Sequence, residues 1–174
     1  PLRVQMAGIR TSEVGYRALF RTIETTGDLE TDERRLSRIV SRTAGRADTV
    51  FVDYVGARVS AGEPLFDIYS PDLLTGREEY VNELKAISAA PGSEAAETAR
   101  RLAKATRERL LLWGMTEKQI DALKPGVEVD THVTVVSPIS GTVIAKRVQA
   151  GQEVAAGEVV YEVADLSSLW LQVH

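Results

Sequence analysis

Apolar and polar residues alternate over two short stretches, Pro64-Leu65-Phe66-Asp67-Ile68-Tyr69 and Val159-Val160-Tyr161-Glu162-Val163. A period of two predicts strands with one packed face and one wet face. Each stretch follows a turn of the form G-x-x-V-x-A-G. The first is Gly56-Ala57-Arg58-Val59-Ser60-Ala61-Gly62, the second Gly151-Gln152-Glu153-Val154-Ala155-Ala156-Gly157. The glycines permit φ > 0, and the central valine of each turn is expected to be buried. Strand-like Thr49-Val50-Phe51-Val52 precedes the first turn and Thr142-Val143-Ile144-Ala145 the second. Upstream, Gly45 matches Gly141 with one residue of slippage. Two unrelated hairpins with common turn chemistry would share the glycines alone. Here order, spacing and flanking strands agree, which marks an internal repeat. Neither copy can bury its apolar face alone, whereas two copies packed together can.

Between the copies the period lengthens. Leu73, Tyr80, Leu84 and Ile87 are spaced by seven, four and three, a helical seam. Ser70-Pro71-Asp72 is its start signal, with Ser70 as N-cap and Pro71 at the first helical position. Ala89-Ala90-Pro91-Gly92-Ser93 breaks the helix. A second helix is predicted over 94–113, with Ala99, Leu102, Thr106, Leu110 and Trp113 as its seam. Two such helices reach roughly 27–30 Å and pack antiparallel, with Leu84 facing Leu102. Gly114 stops the second helix. Thr116 and Gln119 then form a capping box, flanked by Met115 and Ile120 as a hydrophobic staple. That short helix runs to about residue 124. Val133-Thr134-Val135-Val136 resumes strand character. Near the start, residues 19–27 are extended in character, and Arg38-Ile39-Val40-Ser41 reads as a strand.

Charge and composition narrow the classes. The chain has 174 residues, 44% hydrophobic and 26% charged, with net charge −4, so it is globular. It has no general attraction to nucleic acid or anionic lipid. The basic run Arg100, Arg101, Arg107 and Arg109 reads as a solvated helix face. Without cysteine, thiol nucleophiles and Cys-ligated zinc are excluded. No run of about 18 apolar residues exists. The chain opens on Pro1-Leu2-Arg3 and ends at His174 directly after an apolar run, the expectation being a fragment or processed form of a longer protein. No catalytic constellation, phosphate loop or metal cage is present, so no enzyme activity and no cofactor are expected. His132, Asp130 and Met6 are the candidate metal ligands, and His132 beside Asp130 reads better as a solvated linker pair.

A paired β half-motif split by a helical hairpin resembles the periplasmic adaptors, or membrane fusion proteins, of tripartite efflux pumps. The two halves look like halves of a biotinyl/lipoyl domain. The resemblance is carried by SRTAGRADTVFVDYVGARVSAGEPLFDIYSPDLLTGREEY (residues 41–80), LLLWGMTEKQIDALK (110–124) and VSPISGTVIAKRVQAGQEVAAGEVVYEVADLSSLWLQV (136–173). The G-M-x-E-x-x-I turn points to heavy-metal efflux systems of the resistance-nodulation-division class. The resemblance implies an α+β fold, a lipoyl-like β barrel-sandwich hybrid split by an antiparallel α-helical hairpin, with flanking strands of an incomplete β-barrel domain. Its parts are N-terminal strands of the β-barrel (1–35), half-motif 1 (36–70), the hairpin with a short third helix (71–126), half-motif 2 (127–166) and a return strand (167–174). It implies a non-enzymatic protein of the periplasm, anchored at or associated with the inner membrane. Its partners would be an inner-membrane proton-driven efflux transporter, an outer-membrane channel and further copies of itself. Its cargo would be heavy-metal cations, copper/silver or zinc/cobalt/cadmium. Copper-handling members use N-terminal methionines as soft ligands, and here only Met6 and Met115 exist.

Two alternatives stand beside this. One is an adaptor of a drug-efflux or secretion system, which differs only in cargo and partner. The other is a swinging-arm carrier, which needs a modified Lys on the turn joining the halves. That place holds Tyr69-Ser70-Pro71-Asp72, and Lys146 lies inside a strand. Drug-efflux adaptors contact their channel through an Arg, Leu and Ser near the hairpin tip, spaced four and then seven apart. Arg77, Val81 and Ser88 have that spacing, beside the tip residues Pro91 and Gly92.

Overall fold

The computed structural model describes residues 12–127 and 129–173. Its strands are β1 (Gly27–Thr31), β2 (Leu36–Val40), β3 (Gly45–Val50), β4 (Arg58–Val59), β5 (Pro64–Tyr69), β6 (His132–Val136), β7 (Gly141–Lys146), β8 (Gln152–Val154), β9 (Val159–Ala164) and β10 (Leu169–Val173). Its helices are α1 (Pro71–Ala89), α2 (Glu94–Leu112) and α3 (Glu117–Asp121), with a 3-10 turn at Glu33–Arg35.

The first half-motif supplies β2 to β5 and the second β6 to β9. One sheet has the order β2-β9-β7-β4, the other β6-β5-β3-β8. Exchanging the halves converts one order into the other. Every sheet therefore mixes strands of both halves, and neither half forms a sheet of its own. This answers the burial problem of the repeat: each half closes over the other half's apolar face. Leu65, Phe66, Val143, Tyr161 and Val163 are fully buried between the sheets. Phe66 and Tyr161, equivalent residues of the two halves, meet with ring centroids 6.2 Å apart. The Tyr161 hydroxyl donates to the Val52 carbonyl at 2.7 Å, and burial pushes its pKa up to about 12.

The pseudo-symmetry also places the insertions. Tyr69 pairs with His132 where β5 leaves for the helices and β6 returns. Leu36 pairs with Ala164 at the equivalent point, where β2 enters and β9 leaves. Beyond that second junction β1 pairs with β10 from Gly27↔Val173 to Thr31↔Leu169, a two-stranded ribbon.

Several expectations are corrected. No strand occurs in residues 12–26, and Val14, Tyr16, Leu19, Phe20 and Ile23 are exposed there. Pairing starts only at Gly27, where β10 supplies a partner. The strand expected through residue 52 stops at Val50, because the Phe51 and Val52 amides both turn in to the Leu65 carbonyl. The third helix ends at Asp121. Leu102 is 53% exposed and is not in the interhelical seam. Ala103 takes its place, while Ala99, Thr106 and Leu110 are buried as expected, joined by Ala96. Both phases satisfy three-four spacing, and the small-residue phase lets the helices approach more closely.

The hairpin root is not separate from the sheets. Leu73, Leu110, Met115 and Ile120 belong to the same buried core as Ile68, Val133 and Val143. A boundary at residue 71 therefore runs through shared packing.

Candidate partner interface

The rod comes from two helices of 19 residues each, about 28 Å at 1.5 Å per residue. They lie antiparallel: Glu79 pairs with Arg109, and the Thr106 hydroxyl donates to Glu83 at 3.0 Å. Gly76 allows the closest approach. A Cβ there would stand 2.9 Å from the Trp113 ring and 3.1 Å from Leu110. The basic run divides. Arg109 also lies 5.2 Å from the Trp113 ring centroid, Arg107 pairs with Glu117 and Asp121, and Arg100 and Arg101 face solvent.

The far end of the rod is a turn of small residues. Gly92 has φ +84°, and a Cβ there would meet open space. The Ser93 hydroxyl donates to the Ala90 carbonyl at 2.8 Å and accepts the Ala96 amide at 3.1 Å, capping α2. Pro91 and Gly92 are exposed. Ser88, also exposed, donates to the Leu84 carbonyl at 2.9 Å. These small side chains leave backbone within reach of a partner.

Arg77 and Val81 are not part of this surface. Arg77 is 7% exposed and Val81 3%. Arg77 sits near the root, about 16 Å along the axis from Ser88, and Val81 at mid-helix, about 10 Å from it. Spacing alone suggested a common face, but Arg77 and Val81 are buried and Ser88 is exposed. Nη1 of Arg77 donates to the carbonyls of Asp130 and His132 at 2.6 and 2.9 Å.

The root also carries a polar chain. Arg46 pairs with Asp48, and Asp48 Oδ2 lies 2.8 Å from His132 Nε2. Arg46 first and His132 second hold the Asp48 carboxyl well below the usual carboxylate range. A carboxylate only accepts, so Nε2 carries a proton. In the neutral ring Nδ1 then accepts from the Thr131 hydroxyl at 2.8 Å. Asp130 stands 3.8 Å from Nδ1, and its carboxylate accepts the His132 amide. Both ring nitrogens are thus engaged in hydrogen bonds. Among the described residues no group of three His, Cys, Asp or Glu side chains could hold a metal ion. Met6 lies outside the described residues. Lys146 is in β7, where its Nζ donates to the Asp53 carbonyl at 2.8 Å, rather than on a turn open to a modifying enzyme.

The two glycine turns lock the halves with matching bonds. Gly56 donates to Val143 at 2.8 Å and Gly151 to Ala47 at 2.6 Å. Gly62 donates to Ser137 and Gly157 to Ser41, both at 2.7 Å. All four glycines have φ between +82° and +95°. Val59 and Val154 are 5% and 2% exposed. Sequence reasoning missed the serines that receive these turns. The buried Ser41 and Ser137 hydroxyls donate to the Thr43 and Ile139 carbonyls, each at 2.7 Å. Their signal was present as a serine four residues before Gly45 and before Gly141.

The barrel-sandwich hybrid domain family of CusB matches residues 36–164, from the start of β2 to the end of β9. The chain belongs to this family. It is 28% identical over 171 residues to the cation efflux system protein CusB of Escherichia coli K12, covering 98% of this chain and 40% of that protein. It is 25% identical over 171 residues to the putative membrane fusion protein SilB of Salmonella typhimurium, covering 37% of it. The chain thus spans about two fifths of the length of these relatives. The fold also matches two solved structures. ZneB from Cupriavidus metallidurans has a TM-score of 0.53 at 20% identity, over 84% of this chain and 67% of that one. A MacA–MexA chimera containing the Pseudomonas aeruginosa MexA α-hairpin domain has a TM-score of 0.55 at 18% identity, over 84% of this chain and 53% of that one.

Proposed function

We propose that this chain is the central part of a periplasmic adaptor that joins an inner-membrane efflux transporter to an outer-membrane channel and serves the export of heavy-metal cations. The observation that carries the reading is the two-ended clasp. A family barrel-sandwich sends a helical rod from one junction, Tyr69/His132, and a β ribbon from the pseudo-equivalent junction, Leu36/Ala164. Such a body holds two partners at a fixed separation. Its role in this reading is structural linkage. The hairpin tip, with Ser88, Pro91 and Gly92, is the channel end. The ribbon belongs to a β-barrel domain on the transporter side, held at the inner membrane. Several copies surround the transporter. Cation cargo is supported by the relative named as a cation efflux protein. Among the described residues no helix is long and apolar enough to cross a membrane.

The test is deletion of the gene from its host, followed by growth on copper, silver, zinc, cobalt and cadmium salts and on a panel of drugs. Loss of tolerance to one group of cations, restored by the full-length gene, is the expected result. Unchanged tolerance to every cation with lost tolerance to drugs would replace the metal reading by the drug-efflux one.

A further inference from the structure

Arg77 is a charged residue whose position has no explanation in the sheet repeat or the helix seam. It lies in the second turn of α1, and the residue is 7% exposed. Burial lowers its pKa. Its buried Nε has no hydrogen-bond partner, so its bonds run through Nη1. Its partners are not carboxylates in contact but two backbone carbonyls, those of Asp130 and His132, at 2.6 and 2.9 Å. These belong to the strand end that closes the junction with Tyr69. Arg77 therefore ties the rod to the returning strand, 53 residues away in the chain. A second tie is parallel to it: Gln119 of α3 donates to the Thr134 carbonyl at 2.7 Å.

The pseudo-equivalent junction is built otherwise. There Arg35 reaches Asp165 at 3.0 Å and Ser167 at 2.9 Å. Both charged side chains of that pair are nearly half exposed. An exposed ion pair is screened by salt and contributes little. A buried guanidinium on neutral carbonyls is not screened, and removing it leaves two acceptors buried without a partner. Two junctions related by symmetry thus differ in their ties, buried at Arg77 and exposed at Arg35.

We propose that Arg77 is the positioning residue that fixes the angle of the helical rod on the β clasp, making the rod junction rigid and leaving bending to the ribbon junction. The joint is a property of this chain alone. Only its use, aiming the tip at a channel, rests on the adaptor reading, so the test reads a distance rather than export. The chain has no cysteine, and spin labels can be placed at will. Labels at Glu97→Cys on the rod and Ala150→Cys on the clasp give one narrow distance distribution, unchanged between low and high salt. In Arg77→Met the fold and cooperative melting are kept, but the distribution broadens and shifts. A swing of about 10° moves the tip of a 28 Å rod by about 5 Å. Arg77→Lys, which still donates to carbonyls, restores part of the narrowness. If Arg77→Met does not fold, Arg77→Gln, a shorter donor, is read for the same broadening. A distribution in the folded variant as narrow as wild type overturns the proposal. So does equal broadening from Gln119→Ala with Arg77 intact, since the tie would then lie in α3.

Discussion

Gly45 and Gly141 stand at equivalent positions of the two halves, and each is pressed against a neighbouring strand. A Cβ on Gly45 would lie 2.3 Å from the Tyr69 carbonyl oxygen, and one on Gly141 2.6 Å from that of Ala164. Backbone cannot move aside as a side chain can, so Gly45→Ala and Gly141→Ala are each expected to destabilise by about 1–3 kcal/mol. Urea denaturation checks this. Val59→Asp or Val154→Asp places an unpaired charge in the shared core and is expected to cost several kcal/mol, enough to prevent cooperative melting. Asp48 gives the pH dependence. Its folded pKa is depressed by Arg46 and His132. Its contribution is therefore fully present above the unfolded carboxylate pKa of about 4 and is lost as pH falls below it. Wild type is expected to exceed Asp48→Asn in stability at pH 7 by more than at pH 2.5. A gap that grows on acidification would contradict the assigned ion pair.

At the scale of elements, the turns and the third helix were legible because their chemistry is local. The Thr116 and Gln119 capping box forms as the sequence writes it, with both reciprocal hydrogen bonds. The phase of the hairpin seam was not legible, because Leu102 and Ala103 both fit the spacing. Burial separates them, with Ala103 7% exposed and Leu102 53%. Arg77 was misplaced for the same reason: a spacing of four and seven does not reveal which carbonyls lie across a junction. The exchange of strands between sheets is non-local too, and the repeat implied only that the halves pack. Shared packing at the root changes what a deletion does. Replacing residues 82–101 by a short Gly-Ser linker keeps Leu73, Leu110 and Met115 and is expected to leave cooperative melting close to that of the whole chain. Replacing 73–112 removes Leu73 and Leu110 from the core, at about 2–5 kcal/mol for each leucine truncated to alanine. Equal melting of both deletions would show that the root contributes nothing to the clasp.

The whole molecule is a clasp with two ends, and its charge, folds and turns all serve that shape. The rod projects small, exposed residues at its tip, while Arg107 and Arg109 are held in ion pairs on its lower half. In the proposed function this tip meets an outer-membrane partner. The most direct measurement is photo-crosslinking in living cells. A photoreactive amino acid is placed in the full-length protein at Ser88 or Glu94 beside the tip, and at Ala150 on the clasp as control. The account predicts adducts with an outer-membrane channel from the two tip positions and none from Ala150. Tip positions that crosslink to no outer-membrane protein, in cells whose cation tolerance is intact, would contradict it.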